Sequence, residues 1–283
     1  MGGMTTVLLL HPGQMGTALG VQVRLGGGRV LWSPEGRGAA SGRRAAEGGF
    51  EAAGSLREGV AAADVVISVV PPAAAEETAE QVAAAGVPRI YVEGNAISPH
   101  RAQRIAALFP PQGFVDGCVI GPPPGDRVSA RLYLSGPQDA VEVVGGLFRQ
   151  SAVEAVALGE AIGAASALKM AYGSFQKTSR ALAAVSHALA AHHGVERELV
   201  AEAERMAASA LAEPGQLPGV ASRAWRWAPE MAEVAHALRA ANLPADLALA
   251  AEDVMHRWDP DKDATGLTLD EVLRHLRDPS GED

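Results

Sequence analysis

Six positions in one stretch have the types and spacing for acid–base chemistry. In GAASALKMAYGSFQKTSRAL, Ser166, Lys169, Tyr172, Gly173, Gln176 and Arg180 fall near one face of a helix, by i, i+3, i+4 and i+7 spacing. A polar stripe broken by glycine, inside an Ala/Leu-rich segment, suits a surface that faces a cleft. Hydride transfer at a carbonyl carbon changes the charge on oxygen, and the Lys169 amine could supply or remove the proton there. A helical lysine is by default a solvated side chain, so its type alone assigns it no role.

A second stretch could hold the hydride carrier. VLLLHPGQMGTALG (residues 7–20) passes from an apolar, β-rich run into a glycine-punctuated, helix-like one. Gly13 and Gly16 take the second and third glycine positions of a G-x-G-x-x-G dinucleotide fingerprint, while His11 holds the first. Gly13 would let the backbone approach a pyrophosphate and Gly16 would let helix and strand pack closely. The helix start, Pro12 to Gly16 with Gln14 and Met15 between, would offer free N–H groups to phosphate. An ordinary Gly-rich corner is the competing reading.

Two later stretches bear on it. In LWSPEGRG, Ser33 ends a strand and Arg37 follows, a pair suited to the 2′-phosphate of NADP. Glu35 could instead grip the ribose of NAD, so NADP is favoured with NAD as the alternative. In SVVPP, Val70, Pro71 and Pro72 end another strand. Consecutive prolines donate no N–H and could form a rigid wall against a cofactor, or simply a turn.

These groups need a scaffold, and 283 residues suffice for two domains. Aromatics are only 4% of the chain, so the core must come from small aliphatic side chains. With 24 basic against 33 acidic residues, nucleic acid is not expected as a partner. The single cysteine, Cys118, has no partner for an internal disulfide, which points to a reducing compartment. The first apolar run stops at His11 and Pro12, without a signal-peptide pattern, so a cytoplasmic protein with no membrane association is expected.

TTVLLL, RVLWS, DVVISVV, RIYVEG, GFVDGCVIG, ARLYLSG and VEAVALG read as strands separated by Ala-rich helices. Near-continuous apolar strands imply burial on both faces, hence a mostly parallel, doubly wound sheet. From residue 159 the pattern becomes wholly helical, beginning with one long helix. Pro214, Pro218 and Pro244 punctuate the later helices, Asn242 or Gly194 mark C-caps, and Thr268 with Glu271 forms a capping box. The expected domains are 1–158, α/β and dinucleotide-binding, and 159–283, all-helical.

The chain resembles the β-hydroxyacid dehydrogenase superfamily, which includes 6-phosphogluconate dehydrogenase and the imine reductases. HPGQMG is similar to its Gly-x-Gly-x-Met-Gly, and SVVPP sits at its cofactor-facing loop. EGNAISP, with Asn95, resembles Asp-x-Ser-Thr-x-x-Pro, and VDGCVIGPP resembles Asp-x-Pro-Val-Ser-Gly-Gly. GAASALKMAYG resembles Gly-x-x-x-x-x-Lys-x-x-x-Asn, and the later helices look like those of a less characterised branch. The resemblance implies a Rossmann domain joined by a long interdomain helix to an all-α domain. It also implies Lys169 as the proton donor or acceptor, and a homodimer.

The departures matter as well. Ile120, before Gly121, replaces the serine that anchors a substrate carboxylate, and Gly173 replaces the asparagine after the lysine. The resulting expectation is an NADP-dependent oxidoreductase acting on a carbonyl or alcohol carbon. An imine reductase and a non-catalytic NADP-binding sensor are the alternatives. Tyr172, Gly173, Gln176 and Trp227 are further substrate-pocket candidates. Trp225 and Arg226 beside Trp227 could line the same pocket, though helix packing suits at least one tryptophan. His187, His192 and His193 lack a carboxylate or cysteine cluster, so no metal is expected and they read as structural or solvent-facing. Cys118, in a strand without a partner, is a poor nucleophile candidate.

Overall fold

The computed structural model describes residues 4–205, 213–240 and 245–278, without the side chains of 182, 185, 186, 188, 189, 192 and 193. The expected marks at Asn242 and Pro244 lie outside the described residues. The chain forms two compact units, Met1–Lys169 and Met170–Asp283.

The first unit is built on eight strands: β1 (Thr6–Leu9), β2 (Arg29–Trp32), β3 (Glu51–Ala52), β4 (Val65–Ser68), β5 (Ile90–Glu93), β6 (Phe114–Ile120), β7 (Ala130–Ser135) and β8 (Val153–Ala157). Their order is β3-β2-β1-β4-β5-β6-β7-β8. Every pairing is parallel except β6 with β7. All seven expected strands are present. Helices α1 (Gln14–Leu25), α2 (Ala39–Glu47), α3 (Leu56–Ala62), α4 (Ala75–Ala85), α5 (Pro99–Ala106) and α6 (Gln138–Gly146) connect them. Alternate residues of the buried strands feed two cores: Val7, Leu9 and Ile67 join one, and Leu8, Val66 and Tyr91 the other. This two-sided burial is why the strands lack polar alternation.

The chain leaves β1 towards β2 and later returns to β4 on β1's opposite side, so strand order reverses between β1 and β4. In open α/β sheets ligands bind outside the strands' carboxyl ends at such a reversal. The HPG turn follows β1 there and the SVVPP loop follows β4.

The second unit is helical. It contains most of α7 (Ala164–His193), then α8 (Glu196–Glu204), α9 (Leu217–Ala221), α10 (Ala224–Ala240), α11 (Asp246–His256) and α12 (Leu269–Arg277). Buried Lys177 of α7 pairs with Glu230 of α10. Trp258 is fully buried, and its indole N–H donates to the Val272 carbonyl at 2.8 Å. The Thr268–Glu271 capping box starts α12 and left-handed Gly194 ends α7, both as the sequence predicts.

The units divide inside α7, not ahead of it at 158/159. Gly163, at φ +101°, precedes the helix. The Asp116 carboxylate accepts from the backbone N–H of Gly163 and Ser166 at 3.0 Å each and from the Ser166 hydroxyl at 2.7 Å. The first turn of α7 is thereby fixed to β6, and it belongs with the sheet.

Candidate functional site

The turn after β1 is tight. Gly13 is the N-cap of α1 in extended conformation, and its N–H donates to the His11 carbonyl at 2.9 Å. A Cβ on Gly16 would stand 2.4 Å from that same carbonyl oxygen, so only glycine allows this packing. A Cβ on Gly13 would meet only the His11 ring, at 3.3–3.4 Å. Gln14, Met15 and Gly16 form the first turn of α1, where the backbone N–H groups point towards the helix start. Arg44 of α2 donates Nε to the Pro12 carbonyl at 2.7 Å and pins the turn from outside.

Ser33, after β2, is buried, and Arg37 is half-buried. The Arg37 guanidinium makes no ion pair among the described residues, its Nε is buried without a partner, and burial lowers its pKa. Glu35 accepts from the Leu56 N–H at 2.9 Å and so serves the start of α3. These three residues line a cavity of about 70 Å³ with Leu10, Thr78 and Gln81. A cation lacking a counter-charge beside a small-residue strand end suits a phosphate monoester.

A buried polar row crosses the sheet at the next strand ends. The register sets Ser68 opposite Glu93, Glu93 opposite Asp116, and Asp116 opposite Ser135. Asn95, just beyond, accepts the Val70 N–H at 2.5 Å and donates to the Ser68 hydroxyl at 3.1 Å. Its own N–H goes to Glu93 Oε1 at 3.1 Å. Burial pushes the Glu93 carboxyl up to about 8, with Asp116 adding to the shift. Burial also raises Asp116, against the hydrogen bonds of Ser166, Ser135 and Gly163. Arg101 of α5 donates to the Pro72 carbonyl at 2.9 Å. The Val70–Pro72 loop is thus held from both ends.

Lys169 stands at the far end of β6. Its Nζ donates to the Val119 carbonyl at 2.8 Å, and burial lowers its pKa. Cys118, Ile120 and Ala165 form an apolar cluster with Tyr133 and Leu168 there. Lys169 makes no ion pair among the described residues, so its charge is unbalanced. Gly121 follows Ile120 at φ +130°, a conformation that favours glycine.

The first unit therefore gathers Pro12, Gly13, Gln14, Met15, Gly16, Ser33, Arg37, Val70, Pro71, Pro72, Asn95, Ile120, Gly121 and Lys169 along the carboxyl ends of β1, β2, β4, β5 and β6. Tyr172, Gly173 and Gln176 follow on α7 in the second unit. Gln176 Nε2 donates to the Tyr172 hydroxyl at 2.9 Å, and a Cβ on Gly173 would meet nothing within 4 Å. Trp227 lies on α10, partly buried, with Arg223 stacked at 5.7 Å. Trp225 is tied to Asp263 and Lys262. His187 is buried, and Cys118 is buried with its thiol pushed up to about 12 by burial.

Sequence reasoning missed Arg44, Arg101 and the Glu93–Asp116 pair. For the pair a signal existed, since an acid inside an apolar strand run is costly to bury unless it is hydrogen-bonded.

The sheet, its reversal and this line of groups define a Rossmann-like fold followed by a helical region. Residues 190–258 match the family described as Domain of unknown function (DUF1932). No curated protein matches the chain. Among solved structures, a conserved protein of unknown function, described as structurally similar to 3-hydroxyacid dehydrogenases, is 26% identical, with a TM-score of 0.67. That match covers 90% of this chain and 98% of the other. The 3-hydroxyisobutyrate dehydrogenase of Mycobacterium tuberculosis, solved with L-serine, is 20% identical over 97% of this chain and 99% of its own, with a TM-score of 0.75. A reductive aminase from Aspergillus terreus, solved with NADPH and ethyl-5-oxohexanoate, is 21% identical over 97% and 100%, with a TM-score of 0.54. The chain has structural relatives among hydroxyacid dehydrogenases and amine-forming reductases, and in a branch whose function is unknown. Among the described residues no helix is long and apolar enough to cross a membrane.

Proposed function

We propose that this protein is an NADP-dependent oxidoreductase that transfers a hydride between nicotinamide and a carbonyl or alcohol carbon. The observation that carries the reading is the placement of two unbalanced cations, Arg37 and Lys169, at the carboxyl ends of the same sheet. Arg37 and Ser33 fit the 2′-phosphate. The α1 amides fit the pyrophosphate, and the Val70–Pro72 loop, held by Asn95, would wall the nicotinamide. NADPH, when bound, supplies the hydride. Lys169 exchanges the proton with the substrate oxygen, and the bond to the Val119 carbonyl holds its amine at a defined place. Because burial weakens the amine's hold on its proton, an imine substrate that arrives already protonated is the second reading.

NADPH consumption against a panel of carbonyls and imines tests the proposal. Binding without turnover of any member would leave a sensor. Cofactor preference tests the Arg37 assignment. NADPH should bind more tightly than NADH, and Arg37→Ala should weaken NADPH selectively by about 1–3 kcal/mol. Equal affinities of the unmutated protein for both cofactors would refute the assignment.

We further propose a homodimer, supported by Phe175, which is 79% exposed on α7 near exposed Tyr172. Sedimentation at micromolar concentration should show it, and a monomer throughout would count against it.

A further inference from the structure

His11 occupies the first glycine position of the fingerprint, and its ring lies over Gly13. Ring atoms Cδ2 and Nε2 stand 3.3 and 3.4 Å from where a Gly13 Cβ would be. That is the space through which the second glycine of such a turn admits a pyrophosphate. The imidazole therefore cannot be a bystander to a phosphate arriving at the α1 N-terminus.

Its surroundings are cationic. The charged groups acting on the ring are Arg37, from the loop after β2, and Arg44, from α2. The nearby carboxylate of Glu35 is turned to the Leu56 N–H and does not balance them. On the α1 side the ring meets Gly13 and the positive end of the helix dipole. Its Nδ1 is buried without a hydrogen-bond partner. Burial first, then both arginines, lower the His11 pKa. In the free protein the ring is neutral near pH 7 and one nitrogen is unused.

We propose that His11 is a cofactor-binding residue that contacts the dinucleotide pyrophosphate and takes up a proton from solvent as the cofactor binds. This rests on the dinucleotide reading of the α1 turn. The balance is simple: protein, anionic cofactor and one proton give a complex that carries an imidazolium. Two phosphate charges placed against the ring offset the two arginines, and Nε2, on the ring edge beside Gly13, is the nitrogen that can donate to them while the idle Nδ1 is free to take the proton. The sign is set by linkage. Between the ring's pKa in the free protein and its higher value in the complex, affinity rises as pH falls, by up to about tenfold per pH unit.

Calorimetric titration of the full chain with NADPH, near neutral pH in phosphate and in Tris, reads the proton directly. The measured heat changes with the buffer's ionisation enthalpy in proportion to protons taken up. His11→Gly restores the fingerprint glycine, and His11→Gln keeps a polar side chain that cannot titrate. The 2′-phosphate of NADPH itself titrates near pH ~6. It does so in parent and variants alike, so the difference in uptake belongs to His11. The parent should take up more protons than either variant, approaching one per site, and should show the steeper pH dependence of affinity. Equal uptake in the parent and His11→Gly, with binding intact, would overturn this proposal alone. Failure of the parent to bind either NADPH or NADH would remove the dinucleotide reading and this proposal together.

Discussion

Gly16→Val should destabilise the first unit and abolish dinucleotide binding together. The Cβ it adds would lie 2.4 Å from the His11 carbonyl oxygen, which is backbone and already accepts from Gly13 N–H. No rotamer relieves that contact, because it arises at Cβ itself. Either α1 moves away from β1 or the turn opens, and both displace the amides that would meet phosphate. Overpacking of this kind costs roughly 1–3 kcal/mol, which lowers the melting temperature by several degrees in a chain of this size. Gly13→Val is the informative companion. Its Cβ meets only a side chain at 3.3 Å, so the protein should fold normally while the branch blocks the pyrophosphate's approach. Thermal unfolding and NADPH titration of both variants separate the two roles. A Gly16→Val protein with parental melting and binding would show that the stretch is only a corner.

The strands were legible because two-sided burial leaves continuous apolar runs, a signal read directly from residue type. The one strand missed, Glu51–Ala52, has two exposed residues at the sheet edge, too short for any period. The tight turn after β1 was legible because Gly16 is required by a contact only five residues away. The buried acids were not, as a pair. Glu93 and Asp116 meet only through the β5–β6 register, and nothing in either segment states that register. Glu35 remained ambiguous for a related reason: its partner, the Leu56 N–H, depends on where α3 begins. Arg44 sits in a run that reads as an ordinary charged helix face, and only the fold turns it to Pro12. The stripe on α7 was legible as a face. Its division between Ser166, buried on Asp116, and the exposed Tyr172 was not, because it depends on where β6 meets the helix.

Lys169→Met should leave NADPH affinity nearly unchanged and lower turnover by about 10²–10⁴-fold, the scale of a lost general acid. Methionine retains much of the length and apolar character of the lysine stem. What disappears is the amine and its bond to the Val119 carbonyl, a loss of about 0.5–1.5 kcal/mol, so melting should shift little. The kinetic loss should fall on kcat and on kcat/KM alike, as expected for an interaction made only in the transition state. The pH profile gives a second reading. Burial holds the Lys169 pKa below the ordinary lysine value. For carbonyl reduction the amine must enter protonated, so activity should decline as pH rises through that lowered pKa. The decline should be absent from whatever activity Lys169→Met retains. The substrate panel must come first, because the mutant is informative only against a measured parental rate. Should the mutant turn over at that rate with an unchanged profile, Lys169 serves only to fasten α7 to β6. The proton source would then be sought first at Tyr172, and an imine that carries its own proton would become the better substrate class.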